Sequence, residues 1–230
     1  MFKDRSILRY GIDRYLRGLA VPPGRVLDLG GKRNGYYSAV FRGKGCSYLA
    51  VGFEGDVSLD IGTATLPFEN ASFDFVFVST VLMYLDEVGF RNVLREAALV
   101  LTPGGTLLIA EPFLATQTHH RGITDRRRWT HAGMCLELEA SGFGAMISRP
   151  ISGIFGMGFT VLRDLLPGFL SPVRTLCTLL GAAADGLSEH LRYFRVRNAR
   201  YYQGYIVSAV LLSEAVTNRA SQPVPPVSIR

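Results

Sequence analysis

The chain has 230 residues, of which 48% are hydrophobic and 19% charged, enough to bury one sizeable core. A net charge of +6 admits an anionic small molecule, a nucleic acid or an anionic membrane surface as partner without choosing among them. Three widely separated cysteines, Cys46, Cys135 and Cys177, argue against a disulfide framework and a zinc site, and for a reducing, cytoplasmic setting.

The first segment places Ile7, Leu8, Ile12, Tyr15, Leu16 and Leu19 at helical spacing. Charges recur through it, so it does not read as a signal peptide. Residues 1–22 are expected to form an amphipathic cap helix on the rest of the domain.

The run GRVLDLGGKRNG, Gly24 to Gly35, is the most informative stretch. Val26 to Leu29 reads as a short buried strand that carries the carboxylate of Asp28. Gly30 and Gly31 then allow the backbone to approach a ligand closely. Asn34 and Gly35 close the loop, and Tyr36 to Phe41 can open a helix. Strand, glycine-rich turn and helix is how an open α/β sheet presents a nucleotide-like ligand to a helix N-terminus.

The following segments repeat that logic. Tyr48 to Phe53 reads as a second strand ending at Glu54, where such folds hydrogen-bond ribose hydroxyls. Val57 to Leu59 reads as a short third strand ending at Asp60. Ser72 to Val78 is a fourth, rich in β-formers. Val93 to Leu101 is expected as a helix stopped by Thr102-Pro103-Gly104-Gly105. Thr106 to Ala110 is a fifth strand, ending at Glu111-Pro112.

In sequence order, VLDLGG, VGFEG, LPFENASFDFV, VLMYL and LTPGGTLLIAEPF resemble the class I S-adenosylmethionine-dependent methyltransferases of the type 11 kind, from about Arg25 to Phe143. The resemblance implies an α/β, Rossmann-like sheet of seven strands with helices on both faces. It implies S-adenosylmethionine as cofactor, with Asp28, Gly30, Gly31 and Gly35 at its methionine end. It places Glu54 on the ribose, Asp60 and Ile61 at the adenine edge, and Ser79 and Thr80 along the pocket. Two positions depart from the family pattern. Lys32 stands where the loop's middle glycine would fall, either crowding the cofactor or pointing to solvent. Tyr84 stands where relatives often carry histidine, and is read as pocket lining on the substrate side.

The segment EPFLATQTHHRGITDRRRWTHAGM follows strand five, at the carboxyl edge where ligands bind. It resembles a subset of bacterial methyltransferases associated with glycan pathways, which His120, Asp125, Arg128, Trp129 and Thr130 match. His119, His120 and Asp125 are the candidate bases, because a hydroxyl acceptor gains from one and histidine titrates near working pH. Arg128 and Trp129 are candidate acceptor contacts. The same residues admit a plainer reading: Asp125, Arg128 and Thr130 organise the loop and cap the next helix. The Arg126-Arg127 pair departs from the usual aromatics and reads as a solvated face or an anion contact.

After a helix from Ala132 to Ser141, a sixth strand is expected near Ala145 to Ser148. Residues 151–200 read as helices inserted before the last strand, Tyr205 to Leu211. They are strongly apolar, yet Arg163, Asp164, Pro167, Pro172 and Arg174 interrupt them too often for a spanning helix. Pocket cover, a homodimer interface and peripheral membrane contact through 151–183 are the roles open to them. Four arginines, from Arg192 to Arg200, alternate with aromatics, a pattern also used on single-stranded nucleic acid, but no RNA-binding module accompanies it. The tail 213–230 is polar and proline-rich, as disordered tails are.

The expected activity is methyl transfer from S-adenosylmethionine to a hydroxyl of a sugar, another glycan acceptor or a small metabolite. A methyltransferase-like binding or scaffold domain without turnover, and an interfacial enzyme acting on a lipid-linked acceptor, are the rival readings.

Overall fold

The computed structural model describes residues 6–114, 119–120, 123–190 and 202–212. Helix α1 spans Ile7–Gly18 and is capped by Ser6, whose hydroxyl accepts from the backbone N–H of Arg9. Its buried face is Ile7, Leu8, Ile12 and Leu16, part of the apolar spacing read from the sequence. Strand β1 (Arg25–Leu29), helix α2 (Ser38–Arg42) and strand β2 (Ser47–Val51) follow. Then come β3 (Phe73–Ser79), a 3-10 turn at Leu82–Tyr84, and α3 (Glu87–Val100). β4 spans Leu101–Pro112, and β5 (His119–His120) and β6 (Ile123–Thr124) form a small separate hairpin. The remaining elements are α4 (His131–Ala140), β7 (Phe143–Ile151), α5 (Ile154–Leu165), α6 (Ser171–His190) and β8 (Gly204–Leu211).

Six strands form the main sheet in the order β2-β1-β3-β4-β8-β7. β1, β2, β3 and β4 run parallel, while β8 is antiparallel to both its neighbours. The expected count of seven is corrected to six. Val57-Ser58-Leu59 does not form a strand; Val57 makes a single bridge to Val51. The backbone there turns back on itself: Gly55 N–H donates to Gly52, and Asp56 and Val57 donate to Ala50. The Asp56 carboxylate accepts from Ala50 in return, so β2's outer edge is closed by a turn.

Both faces of the sheet are covered. On one face Leu27, Leu29, Val76 and Val78 pack with Phe90, Leu94 and Ala97 of α3 and Met134 and Leu138 of α4. On the other, Val26, Phe75, Phe77 and Leu108 pack with Ile12 and Leu16 of α1 and Phe41 of α2. Two adjacent strands, β2 and β3, flank β1, and the chain order reverses between them. That reversal opens a crevice at the carboxyl ends of β1 and β3, where open α/β sheets bind ligands.

Helix α3 begins six residues before the sequence reading placed it. Asp86 caps it, its carboxylate accepting from Gly89 N–H at 2.8 Å. α5 and α6 lie between β7 and β8. Asp185 of α6 ties the pair together: its Oδ2 accepts from the Ser152 hydroxyl at 2.8 Å, from Gly153 N–H at 2.6 Å and from Gly156 N–H at 3.1 Å. It thereby caps α5 from a different helix. The outer side of this pair exposes Val161, Leu162, Leu165, Phe169, Leu176 and Leu187. No helix among the described residues is long and apolar enough to cross a membrane. The arginine-rich stretch 191–201 and the tail 213–230 lie outside the described residues.

Candidate functional site

A cleft of about 680 Å³ opens at the crevice. Its floor is Asp28 and the turn after β1. Gly30 takes φ +85°, a conformation only glycine adopts without strain, and a Cβ there would also lie 2.8 Å from Val81. At Gly31 a Cβ would meet the Asp28 carboxyl at 2.5 Å. These two glycines therefore let the backbone pass directly over Asp28 and leave the space above for a ligand. On the β3 side Thr80 holds φ 53°, the left-handed region that costs a β-branched residue most. Its N–H donates to Ala110, which holds the turn in place.

All nine residues expected at the cofactor line this one cleft: Asp28, Gly30, Gly31, Gly35, Glu54, Asp60, Ile61, Ser79 and Thr80. Tyr84 lines it as well. Asp60 is set by its own turn, Oδ1 accepting from Gly62 N–H at 2.9 Å. Asn92 of α3 holds that turn through donations to the carbonyls of Ile61 and Ala64.

Asp28 is almost fully buried, and burial pushes its carboxyl up to about 7, although the Tyr48 phenol donates to it and partly offsets the rise. Glu111, at the end of β4, is also pushed up to about 7 by burial. Its Oε1 accepts from Val81 and Leu82 N–H at 3.0 and 3.1 Å, which fixes the 3-10 turn that presents Tyr84. Burial likewise raises the Tyr37 phenol, to about 12.

Lys32 neither crowds the cleft floor nor points freely to solvent. Its ammonium lies 2.7 Å from Glu54 Oε2, at the cleft's mouth. Sequence reasoning missed Tyr36, Tyr37, Asp86 and Arg9 of α1, which also line the cleft, as does Arg126, which the sequence left as a solvated face or an anion contact. Of the four missed residues only Asp86 had a local signal, as an N-cap candidate before α3.

The acceptor-side residues are distributed differently. Asp125, Arg128 and Trp129 are not among the residues that line the cleft. Asp125 and Arg128 form a two-point ion pair, with the Asp125 side chain 5% exposed. The Trp129 ring stacks on Phe90 with centroids 4.5 Å apart, and its carbonyl accepts from the Tyr205 hydroxyl. Arg126 and Arg127 N–H both donate to Met83, pinning this segment to the 3-10 turn. Thr130 caps α4, its hydroxyl accepting from Gly133 N–H at 3.0 Å. The backbones of His119 and His120 pair with Thr124 and Ile123; their side chains lie outside the described residues.

A family model described as a methyltransferase domain matches residues 34–109, about a third of the chain. Several solved structures share the fold. The 1,6-didemethyltoxoflavin-N1-methyltransferase of Burkholderia thailandensis, bound to 1,6-didemethyltoxoflavin and S-adenosylhomocysteine, aligns with a TM-score of 0.58 and 15% identity, over 91% of this chain and 80% of that one. Phosphoethanolamine N-methyltransferase 2 of Haemonchus contortus, in complex with S-adenosyl-L-methionine, aligns with a TM-score of 0.54 and 16% identity. That alignment covers 88% of this chain and 52% of the larger enzyme. The [4+2]-cyclase SpnF aligns with a TM-score of 0.55 and 17% identity, over 92% of this chain and 85% of that one. No curated protein matches the chain in sequence.

The chain thus has a Rossmann-like fold shared with solved methyltransferases, and its residues 34–109 match a methyltransferase domain model; proteins of that kind use S-adenosylmethionine. The glycine-lined space above Asp28, with Glu54 and Asp60 at its side, fits such a group.

Proposed function

We propose that this chain binds S-adenosylmethionine in the cleft and transfers its methyl group to a hydroxyl of a sugar or small metabolite. The observation that carries the reading is the convergence of Asp28, Glu54 and Asp60, from three separate segments, on one cleft beside the Gly30-Gly31 turn. Bound there, the cofactor supplies a methyl group activated on a sulfonium sulfur. Asp28 and the glycine turn hold its amino-acid end, Glu54 accepts from the ribose hydroxyls, and Asp60 with Ile61 flanks the base. Tyr84, fixed by Glu111 through the 3-10 turn, faces the acceptor side. The acceptor oxygen forms its bond to the methyl carbon as the carbon–sulfur bond breaks, and the hydroxyl proton passes to a base, for which His120 is the candidate. Positioning the two reactants in line supplies much of the rate.

A methyl-transfer assay tests this. Labelled S-adenosylmethionine is incubated with the protein and a panel of sugars and hydroxylated metabolites. Label recovered in an O-methyl group supports the reading; tight cofactor binding with no transfer across the panel favours a binding or scaffold role. The fold alone does not decide between them, since one protein that shares it is a cyclase.

One observation favours a second reading, an interfacial enzyme acting on a lipid-linked acceptor. The tip of the α5–α6 pair exposes Leu165 at 76% and Phe169 at 82%, and apolar side chains flanked by basic sequence suit a membrane surface. Sedimentation with anionic liposomes separates the two: an acceptor free in solution needs no liposome binding.

A further inference from the structure

Three consecutive arginines follow β6, and the fold uses them differently. Arg128 forms its two-point ion pair with Asp125 and also donates to the Arg127 carbonyl at 3.2 Å. Arg127 donates to the Glu87 carboxylate of α3. Neither is among the residues that line the cleft. Arg126 does line it, and its guanidinium donates to no carboxylate among the described residues. The acid beside it, Asp86, lies 3.7 Å away, beyond hydrogen-bond reach.

Asp86 is already engaged, because its Oδ1 accepts the Gly89 N–H that caps α3, at 2.8 Å. Its long contact with Arg126 joins side chains that are 64% and 55% exposed, so it holds the guanidinium weakly. The Arg126 backbone is fixed by contrast. Its N–H donates to the Met83 carbonyl at 2.8 Å, in the same 3-10 turn that Glu111 grips through Val81 and Leu82. A firmly seated backbone thus carries a loosely held guanidinium on the wall of the cleft that Tyr84 shares. Two other carboxylates of the cleft are matched, Glu54 by Lys32 at 2.7 Å and Asp60 by Gly62 N–H at 2.9 Å.

We propose that Arg126 receives an oxyanion carried by the methyl acceptor, a phosphate monoester or a carboxylate, so that the acceptor is an acidic sugar or acidic metabolite. This deepens the methyl-transfer reading above and rests on it. A planar guanidinium meets either oxyanion through two parallel hydrogen bonds, and the weak Asp86 contact gives way to that fork. The positive sulfonium of a bound cofactor attracts the same anion.

The test compares acceptors that differ only in the oxyanion. Methyl transfer is measured on neutral sugars, each beside its phosphate monoester and its uronic acid, with the wild type, Arg126→Gln, Arg126→Lys and Arg127→Gln. Thermal shifts of the S-adenosylhomocysteine complex read binding of the same compounds without turnover. The wild type is expected to favour one anionic member over its neutral parent by on the order of tenfold to a hundredfold in kcat/KM, and which member wins identifies the oxyanion. Arg126→Gln should lose that preference through KM rather than kcat, and lose the shift given by the anionic compound. Arg126→Lys should keep part of both. Arg127→Gln, whose native side chain pairs with Glu87 outside the cleft, should keep them in full. An anionic shift that vanishes in Arg126→Gln sustains the assignment even without transfer, and then the methyl-transfer reading alone falls. No anionic preference, or one that survives Arg126→Gln, overturns the assignment and leaves transfer to neutral hydroxyls standing. An Arg126→Gln variant that loses S-adenosylhomocysteine affinity to the same degree also overturns it, by moving Arg126 to the cofactor.

Discussion

The Lys32 ammonium meets the Glu54 carboxylate 2.7 Å away, across the mouth of the cleft. The residue that departs from the family's glycine pattern thus engages the acid assigned to the ribose. Both side chains are partly exposed, at 54% and 34%, so the pair adds little to stability, on the order of 0.2–1 kcal/mol. Its consequence lies in binding, because ribose hydroxyls must share Glu54 with Lys32 or displace it. Lys32→Gly should therefore leave cofactor affinity at or above the wild-type value, with little change in melting temperature. A large loss of affinity by calorimetry would instead make Lys32 a direct ligand.

Glu54→Ala tests the partner. Removing a charge-assisted acceptor from the ribose should weaken cofactor binding by about 1.5–3 kcal/mol. The fold should persist, since Glu54 lies in a loop at the cleft edge. An unchanged dissociation constant would take the ribose away from Glu54.

Much of the architecture was legible in local sequence. Val26–Leu29, Phe73–Val78 and Thr106–Ala110 are runs rich in apolar β-formers, interrupted only by Asp28, Asp74 and Thr106 and bounded by turn residues, and all three lie in strands. Val57–Leu59 misled because a three-residue apolar pattern carries no information about pairing. Asp56 returns its carboxylate to Ala50 and closes the edge instead. The start of α3 was missed because Gly89 falls in its first turn, although Asp86 before it is a sound cap. The acceptor segment was least legible. The Asp125–Arg128 spacing suggests an ion pair, but the stacking of Trp129 on Phe90 joins residues far apart in sequence. Arg9 was invisible for the same reason, since only the docking of α1 brings it to the cleft.

The two buried carboxyls give stability a pH dependence. Asp28 and Glu111 both titrate near 7 in the fold, above their ordinary values of 3.8 and 4.5. Between those limits the native state holds more protons than the unfolded chain. Their contribution is complete below about pH 4, declines as pH rises toward 7, and is lost above it. The slope is at most about 1.4 kcal/mol per pH unit for each group. Asp28→Asn should flatten the fall in urea-unfolding free energy across pH 4–7. Identical slopes in wild type and variant would show that Asp28 titrates normally.

Asp185 supports α5 through three hydrogen bonds to one oxygen. Asp185→Ala leaves buried N–H groups of Gly153 and Gly156 without that acceptor and should cost about 1–3 kcal/mol in unfolding free energy. Asp185→Asn retains an acceptor oxygen and should cost less. Equal stability of the Ala variant and the wild type would mean that α5 is held by its packing alone.

The chemistry is tested at His120. As general base it should be dispensable for cofactor affinity but not for rate, and His120→Ala should cut transfer by about 10²–10⁴-fold. The wild-type rate should fall as pH drops through the histidine range, near 6.5, and the variant should lose that limb. His119→Ala is the control. Equal, mild effects from both would indicate loop structure, and a full rate in His120→Ala would refute the base.

The most direct measurement is a calorimetric titration of the wild-type protein with S-adenosylmethionine, accompanied by its thermal shift. The cleft above Asp28 predicts saturable one-site binding, with a dissociation constant well below about 1 mM, and a raised melting temperature. No heat and no thermal shift at millimolar cofactor would contradict the central claim.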